Sequence, residues 1–432
     1  MSISSALNAG VSGLRANSSR LATISDNIAN SSTFGYKRAD VDFSSVVISQ
    51  NTGRYSAGGV KVDSFRNVES RGSLVGTSNS TDIAVGGRGM VPVTGISNVD
   101  DPSGTYPLMV VTTGSFRPDA EGVLRTESGL VLMGFGADQD GNIPSMARDS
   151  SVGLEPVRIN RNQFASSPTT EISLGANLPA AATQAGSTAD PFELPIEYFD
   201  NVGASQTMTM IFTPNVPATG QSNTWNMQVV DQAQGSAVIG EYTVVFDDST
   251  GNGGEILSVT PTTGTYDPVS GVASVTADRG SIDIDIGAVG SSGALTQLSA
   301  EFAPTSVTKN GSPVGNLTNV EVDPDGMVVA SYDTGYTKVI YQIPLVDVAN
   351  PNGLEALDNQ AFAISDESGP LYLWDAGAGP TGEVIGYARE ESTSDIAEEL
   401  TLLIQTQRAY SSNAKIIQTV DEMLQETTNL KR

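Results

Sequence analysis

The chain has 432 residues, a formal net charge of −27, and neither cysteine nor histidine. Without these two residue types there are no thiolate nucleophiles, disulfides, imidazole bases or usual zinc, copper and non-haem iron ligand sets, which excludes most enzyme mechanisms. A strongly acidic surface repels nucleic-acid phosphates and anionic membranes, so we expect no nucleic-acid partner and no membrane insertion.

The composition favours several domains with light cores. A chain of this length predicts two to four domains, and 45 glycines with only 6% aromatic residues favour short strands joined by many turns. The opening segment, MSISSALNAGVSGLRANSSRL, has no basic stretch followed by an apolar core. We therefore expect any export to occur without a cleaved signal peptide.

The first predicted element is an amphipathic helix. Apolar residues recur at alternating steps of four and three, or at whole sevens, with Ser18 at the one missing position; this seam consists of Leu7, Val11, Leu14, Leu21 and Ile28. Alanine, serine and asparagine fill most other positions, so the helix needs a partner to be stable.

From about residue 40 to 390 the helical pattern is replaced by short alternating runs between Gly, Pro, Asn and Asp turns, which predicts β structure. Residues 162–278 contain twelve acidic side chains and no lysine or arginine, and this shift in composition predicts a separate module at about 166–302.

The last predicted element is a longer amphipathic helix. Its seam keeps the four-three alternation over about four heptads, and consists of Ile396, Leu400, Leu403, Gln407, Tyr410, Ala414, Ile417, Asp421 and Leu424, with Ile404 and Val420 widening the stripe. Ser394 followed by Asp395 predicts an N-cap, and Glu398 and Glu399 favour the positive end of the helix dipole.

The two terminal segments carry opposite net charges. Residues 1–40 have four basic and two acidic side chains, whereas residues 390–432 have four basic and eight acidic ones. The helices can therefore pair, either as a helical hairpin within one chain or as part of a multichain assembly, and the periodicity does not distinguish these alternatives.

The predicted fold class is therefore α+β, with terminal helices paired as a coiled-coil rod and nested, mainly β middle domains. The predicted domains are 1–30 with 394–432 (terminal helices), 31–74 with 371–393 (connecting segment), 75–165 with 303–370 (β-rich), and 166–302 (inserted outer β domain).

No motif in the chain predicts chemistry. The sequence GGRG at 86–89 lacks the lysine and following helix of a phosphate loop, and the acidic loops at 138–142 and 323–326 lack the spacing of an EF-hand, so each is interpreted as a turn. Acidic pairs such as Asp283 and Asp285 carry little information among so many carboxylates. We predict no catalytic residue, no cofactor and no metal.

Residues 24–38, ISDNIANSSTFGYKR, resemble the N-terminal signature of the flagellar rod and hook axial protein family. Ser32 stands where that family usually has asparagine. The signature residues matched are Asn27, Ile28, Ala29, Asn30, Thr33, Gly35, Tyr36 and Lys37.

The resemblance continues in TDIAVGGRGM at 81–90, in the glycine-rich hairpins of 111–134 and in the hook-type element ANPNGL at 349–354. It is closest in DIAEELTLLIQTQRAYSSNAKIIQTVDEMLQ near the C-terminus. Residues 166–302 carry no recognised motif of the family, which is what an outer domain that varies between lineages would show.

The resemblance implies a structural subunit of the flagellar hook, a self-assembling tubular polymer that acts as a universal joint between motor and filament. The implied partners are further copies of the chain, a hook cap protein, distal rod and hook–filament junction proteins, and the flagellar export apparatus; the implied location is extracellular. The alternatives are a distal rod subunit, which would form a straight tube, and a secreted β-rich adhesin.

Overall fold

The computed structural model describes residues 3–46, 58–99, 106–138, 141–160, 164–278, 280–291 and 293–429. The described chain begins and ends with long helices, α1 (Ile3–Ala29) and α2 (Ile396–Asn429), and the residues between them form strands arranged in several sheets. The predicted α+β class is confirmed. No described helix is both long and apolar enough to cross a bilayer.

The strands are short, as the frequent turn residues predict. In chain order the first group is β1 Ala39–Ser45, β2 Val60–Arg66, β3 Leu74–Gly76, β4 Asp82–Gly86, β5 Val91–Gly95, β6 Met109–Val111, β7 Thr113–Ser115, β8 Arg117–Pro118, β9 Leu124–Arg125, β10 Leu130–Gly136 and β11 Glu155–Pro156. The second group is β12 Phe164–Ser167, β13 Glu171–Pro179, β14 Phe192–Phe199, β15 Ser205–Pro214, β16 Thr224–Asp231, β17 Ala237–Phe246, β18 Ile256–Thr263, β19 Thr265–Tyr266, β20 Val272–Ala277, β21 Gly280–Asp285, β22 Leu295–Leu298 and β23 Ala303–Lys309. The third group is β24 Ser312–Val322, β25 Met327–Tyr332, β26 Thr337–Gln342, β27 Leu345–Val348, β28 Glu355–Ala356, β29 Phe362–Ala363, β30 Leu371–Trp374, β31 Glu383–Gly386 and β32 Ala388–Glu390.

The chain divides into two compact units. Unit one comprises Met1–Arg161, Asn319–Ala330 and Lys338–Arg432, and unit two comprises Asn162–Thr318 and Ser331–Thr337. The finer division into four domains remains a prediction.

Unit one joins the two terminal thirds of the sequence through strand pairs. Strand β3 pairs antiparallel with β32, and β4 pairs with β31. Its core contains Met90, Val110 and Phe135 from the first third of the chain, together with Val346 and Phe362 from the last. Unit one therefore cannot be completed by either terminal third alone.

Unit two has two sheets whose inward residues form one buried cluster. Strands β14 to β18 follow each other as an antiparallel meander, and in the other sheet β13 pairs with β21, β22 and β23. Strand β16 alternates between buried and half-buried positions, with Trp225 fully buried. In β21 the isoleucines point into the core and Asp283 is exposed, as the alternation of SIDIDI predicts.

The start of α2 differs in detail from the prediction. The Oδ1 of Asp395 accepts hydrogen bonds from the amides of Ala397 (2.7 Å) and Glu398 (3.0 Å), so Asp395 is the N-cap residue. The hydroxyl of Ser394 instead donates to the carbonyl of Asn27 at 3.0 Å. The Ser394 side chain therefore joins α2 to α1.

Gly122 occupies a turn that requires glycine for two reasons. Its φ is +81°, and an added Cβ would overlap the carbonyl oxygen of Ile159. Gly129, in the next turn of the same segment, has a φ of +88°, but an added Cβ would meet only the Ile96 side chain at an ordinary 3.4 Å. Both glycines thus have a left-handed backbone, but only Gly122 also lacks space for a Cβ.

We expect Gly129→Ala to destabilise unit one by about 1–2 kcal/mol, because an L side chain strains the left-handed backbone. Gly122→Ala should destabilise unit one by at least about 1–3 kcal/mol more than Gly129→Ala, because its Cβ would also overlap the carbonyl oxygen of Ile159. Denaturant unfolding followed through Trp374, which lies in unit one, measures both changes in a Trp225→Phe background. Equal losses for the two variants would contradict the backbone contact.

Candidate assembly surface

The two terminal helices lie antiparallel against each other within the chain. An added Cβ at Gly10 would lie 3.2 Å from Cγ1 of Ile417, and one at Gly13 would lie 2.9 Å from Nδ2 of Asn413. At the other end of the pair, Nδ2 of Asn27 donates to Glu399 at 3.1 Å. The missing side chains at Gly10 and Gly13 allow this close approach.

A second face of α1 packs against the hairpin of β1 and β2. The amide of Val60 donates to the hydroxyl of Ser12 at 3.3 Å, and the Arg20 guanidinium lies 5.6 Å from the centre of the Phe43 ring. Phe43 and Phe65 of the hairpin remain exposed. The hairpin therefore covers part of α1 and presents its own apolar side chains to the outside.

Packing within the chain leaves much of the predicted seams uncovered. On α1, Leu7, Leu14, Leu21 and Ile28 are half-buried and Val11 is exposed. On α2 the half-buried seam residues are Leu403, Ala414 and Ile417, and the exposed ones are Ile396, Leu400, Gln407, Tyr410, Asp421 and Leu424. Of the two residues that widen the stripe, Val420 is buried and Ile404 is exposed.

We use the name α2 stripe for Ile396, Leu400, Ile404 and Tyr410. The first three follow one another at steps of four residues, so they share one side of the helix. Their exposed fractions are 48%, 46% and 51%. The first three residues thus form a contiguous apolar surface on α2 beside the face that contacts α1, whereas Tyr410, six residues after Ile404, lies on another side of the helix.

The residues of the N-terminal signature form a buried polar cluster where the end of α1 meets the start of α2; we call it the junction cluster. Buried Asn27 pairs with the backbone of Ala39: its Nδ2 donates to the carbonyl and its Oδ1 accepts from the amide, both at 2.9 Å. The Tyr36 hydroxyl also donates to Asn27 Oδ1 at 3.0 Å. No hydrophobic residue could replace these bonds, which explains an asparagine inside a helix end.

Lys37 forms a buried ion pair at the centre of the cluster. Its Nζ lies 2.7 Å from Oε1 of Glu390 and donates to the carbonyl of Ser70 at 2.7 Å, with both charged side chains almost fully buried. The amide of Gly72 donates to the same Oε1 at 2.7 Å. Burial lowers the pKa of Lys37 to about 8, although the Glu390 carboxylate opposes that shift.

A second ion pair ties the other side of the cluster to α2. The Nε of Arg38 lies 2.5 Å from Oε1 of buried Glu399, and the Arg38 amide donates to Oγ1 of Thr393 at 2.8 Å. Since Asn27 binds the same Glu399 oxygen, one carboxylate joins both segments of the N-terminal signature to α2. The Oε2 atoms of Glu390 and Glu399 have no hydrogen-bond partner within the described residues.

The remaining signature residues shape the turn between α1 and the cluster. Nδ2 of Asn30 donates to the carbonyl of Asp26 at 2.9 Å, and the amide of Thr33 donates to the carbonyl of Asn30 at 3.1 Å. Gly35 has a φ of +72° and donates its amide to the carbonyl of Glu390 at 2.8 Å. These residues therefore bring the chain back against the C-terminal segment.

The N-terminal signature identifies Asn27 and Lys37, but no sequence motif marks their acidic partners, Glu390 and Glu399. The excess of acidic residues in 390–432 over the basic first 40 residues was the available signal, and Glu399 was instead assigned to the helix dipole. Within the described residues, no group of three or more acidic side chains is arranged to hold a metal ion.

Three family models match the sequence. Their descriptions are "Flagella basal body rod protein" for residues 7–37, "Flagellar basal body protein FlaE D2 domain" for 168–312 and "Flagellar basal body rod FlgEFG protein C-terminal" for 386–430. The first and third models cover the two segments that meet in the junction cluster. The second model covers most of residues 166–302, so the family resemblance extends through the segment in which no motif was recognised.

Relatives match over the full length of the chain. Flagellar hook protein FlgE of Brucella suis is 33% identical over 438 residues, and that of Rhizobium meliloti is 32% identical over 440 residues, each with 100% of both chains covered. The protein of the same description from Escherichia coli is 26% identical over 439 residues, covering 99% of this chain and 100% of the relative.

The junction cluster provides a test of what holds the two ends together. Lys37→Met should destabilise unit one by about 3–5 kcal/mol, because it leaves the Glu390 carboxylate buried without its counterion. Lys37→Met combined with Glu390→Met should recover at least about 1 kcal/mol of that loss, since no charge then remains buried. Chemical unfolding followed through Trp374 in a Trp225→Phe background measures unit one separately.

Glu390→Met alone serves as the matched control for the cycle. A double variant as unstable as the sum of both single variants would show that the two side chains do not interact, and would contradict the ion pair.

Proposed function

The chain belongs to the flagellar hook protein family and is a structural subunit of the flagellar hook, and from this premise we propose that it builds a curved tube acting as a universal joint. Membership of that family implies a polymer of identical subunits in the flagellum. The tube would transmit torque from motor to filament while it bends. Hook-type relatives over the whole length favour this function over a rod subunit or an adhesin.

The observation that carries the proposal is the exposed α2 stripe. About half of each of its first three side chains is open to solvent in the single chain, beside a face that already contacts α1. Contiguous apolar surface of this kind marks an interaction site. We propose that a helix of a second copy covers the stripe, so that the predicted seams of α1 and α2 form a coiled-coil inner layer of the tube.

Charge supports the same arrangement. The basic N-terminal and acidic C-terminal segments attract each other within one chain, and the same complementarity can act between neighbouring copies. Exposed Phe43 and Phe65 lie on opposite faces of the β1–β2 hairpin, and each offers a further apolar contact to a neighbour. These surfaces stay exposed in one molecule, and their burial between neighbouring copies would hold the tube closed.

We assign unit two to the outer contacts that change as the tube bends. Bending during rotation requires axial contacts that lengthen and shorten between states of nearly equal energy. The strongly acidic 162–278 segment suits weak, sliding contacts, because like charges oppose tight association. The apolar seams of unit one would keep the tube closed during this movement.

The proposed location is outside the cell, after passage through the flagellar export apparatus without a cleaved signal peptide. A hook cap protein would attend assembly, and distal rod and hook–filament junction proteins would contact the two ends of the polymer. The family membership supports these partners.

Substitutions on the α2 stripe test its role in assembly. Leu400→Gln combined with Ile404→Gln should leave the monomer folded and raise the critical concentration for polymerisation roughly 10- to 100-fold, since each side chain loses about 1 kcal/mol of burial. The control, Ile416→Gln with Met423→Gln, changes exposed apolar residues on the far side of α2 and should assemble normally. Pelleting at graded protein concentrations measures both, and an equal effect of the two variants would count against the stripe.

Removal of the centre of unit two tests its assignment to curvature. Ser167 and Ser312 are paired across β12 and β24, so an Asn-Gly turn can replace residues 168–311 with little strain on the remaining strands. We expect this variant to form tubes whose curvature differs from that of the full chain in negative-stain electron microscopy. Complete loss of polymerisation would refute the division of roles between the units.

A further inference from the structure

The hairpin of β28 and β29 contains a side chain where glycine would be favoured. Asn359 and Gln360 both have left-handed backbones, with φ of +63° and +58°, and the amide of Ala361 donates to the carbonyl of Asp358 at 3.4 Å. This is the geometry of a type I′ turn, in which Asn-Gly is the preferred central pair. Asn359 fits that preference, whereas Gln360 strains the turn.

Gln360 lines a cavity that contains two cations without acidic partners. The cavity has a volume of about 330 Å³ and is also lined by Phe34, Arg117, Glu127 and Arg389. Neither arginine forms an ion pair within the described residues. The cavity is therefore a locally positive site, with two guanidiniums and one carboxylate, in a chain whose net charge is −27.

Arg389 in this cavity stacks on an aromatic ring. Its guanidinium lies 4.0 Å from the centre of the Phe34 ring, and its buried Nε has no hydrogen-bond partner in the described part of the chain. Stacking on an aromatic ring holds the planar group without using its N–H donors. A buried, unsatisfied guanidinium N–H is costly unless a ligand accepts its hydrogen bond.

We propose that this cavity binds a carboxylate-bearing segment of a second copy of the chain. The inference rests on the proposed function, because it needs a polymer that brings acidic surfaces of one copy to unit one of the next. Arg389 and Arg117 would form charge-assisted hydrogen bonds to the carboxylate, and the Gln360 amide would donate a further one. An assembly contact of this kind accounts for a side chain retained in a strained turn.

The proposal predicts opposite effects of one substitution on folding and on assembly. Gln360→Gly relieves the backbone strain and should raise the melting temperature of unit one by roughly 2–4 °C. The same variant should raise the critical concentration for polymerisation about tenfold, since it removes a contact to the neighbouring copy. A purely structural role for Gln360 would not produce this combination.

Ser236→Gly is the matched control, because Ser236 also has a left-handed backbone, with a φ of +64°, but lies in a turn of unit two. It should leave the critical concentration unchanged. Arg389→Met should weaken assembly about tenfold and reduce its dependence on salt, whereas Arg389→Lys, which keeps the charge but loses the stacked planar donors, should keep the salt dependence and recover only part of the affinity.

Polymerisation of the wild-type chain is measured first. If it does not polymerise, the proposed function fails and this inference fails with it. If it polymerises but Gln360→Gly and Arg389→Met assemble as the wild type does, only the inference is overturned. An equal rise in critical concentration for Ser236→Gly would also overturn it, since loosening any turn would then weaken assembly.

Discussion

The buried ion pair between Lys37 and Glu390 is the contact on which the arrangement of unit one depends. Such a pair gives little net stability compared with apolar packing, but removing one partner leaves a charge buried in a low-dielectric environment. The pair therefore contributes more to the specificity of the contact between these segments than to its net stability. Because Gly72 and Ser70 bind the same two groups, the pair sets the positions of three separate segments.

The helices could be predicted because their signal is local. The predicted N-terminal seam began at Leu7 and ended at Ile28, and α1 spans Ile3–Ala29. The predicted start of α2 near residue 394 lies two residues before its observed start at Ile396, and Asp395 rather than Ser394 caps the helix. Apolar spacing and capping chemistry act within a few turns of one helix, so one sequence is sufficient to detect them.

Only the N-terminal residues of the junction cluster could be predicted, because their acidic partners lie far away in the chain. The motif around Asn27 and Lys37 was recognisable, but nothing in the local pattern distinguishes Glu390 and Glu399 from neighbouring acidic residues. The strained Gln360 was invisible for a similar reason: a left-handed backbone at glutamine contradicts the usual turn preferences. A residue that conflicts with the backbone preference of its turn is expected where a contact outside the turn determines the residue type.

The sequence separation within the junction cluster affects how the chain folds. Strands β14 to β18 pair with their neighbours along the chain, so this sheet forms from local contacts with a small loop-closure entropy. Lys37 instead pairs with Glu390, 353 positions later in the chain, so this contact cannot form until Glu390 is present. A chain delivered gradually from its N-terminus can therefore order the meander early, but it cannot lock its two ends together until nearly its whole length has emerged.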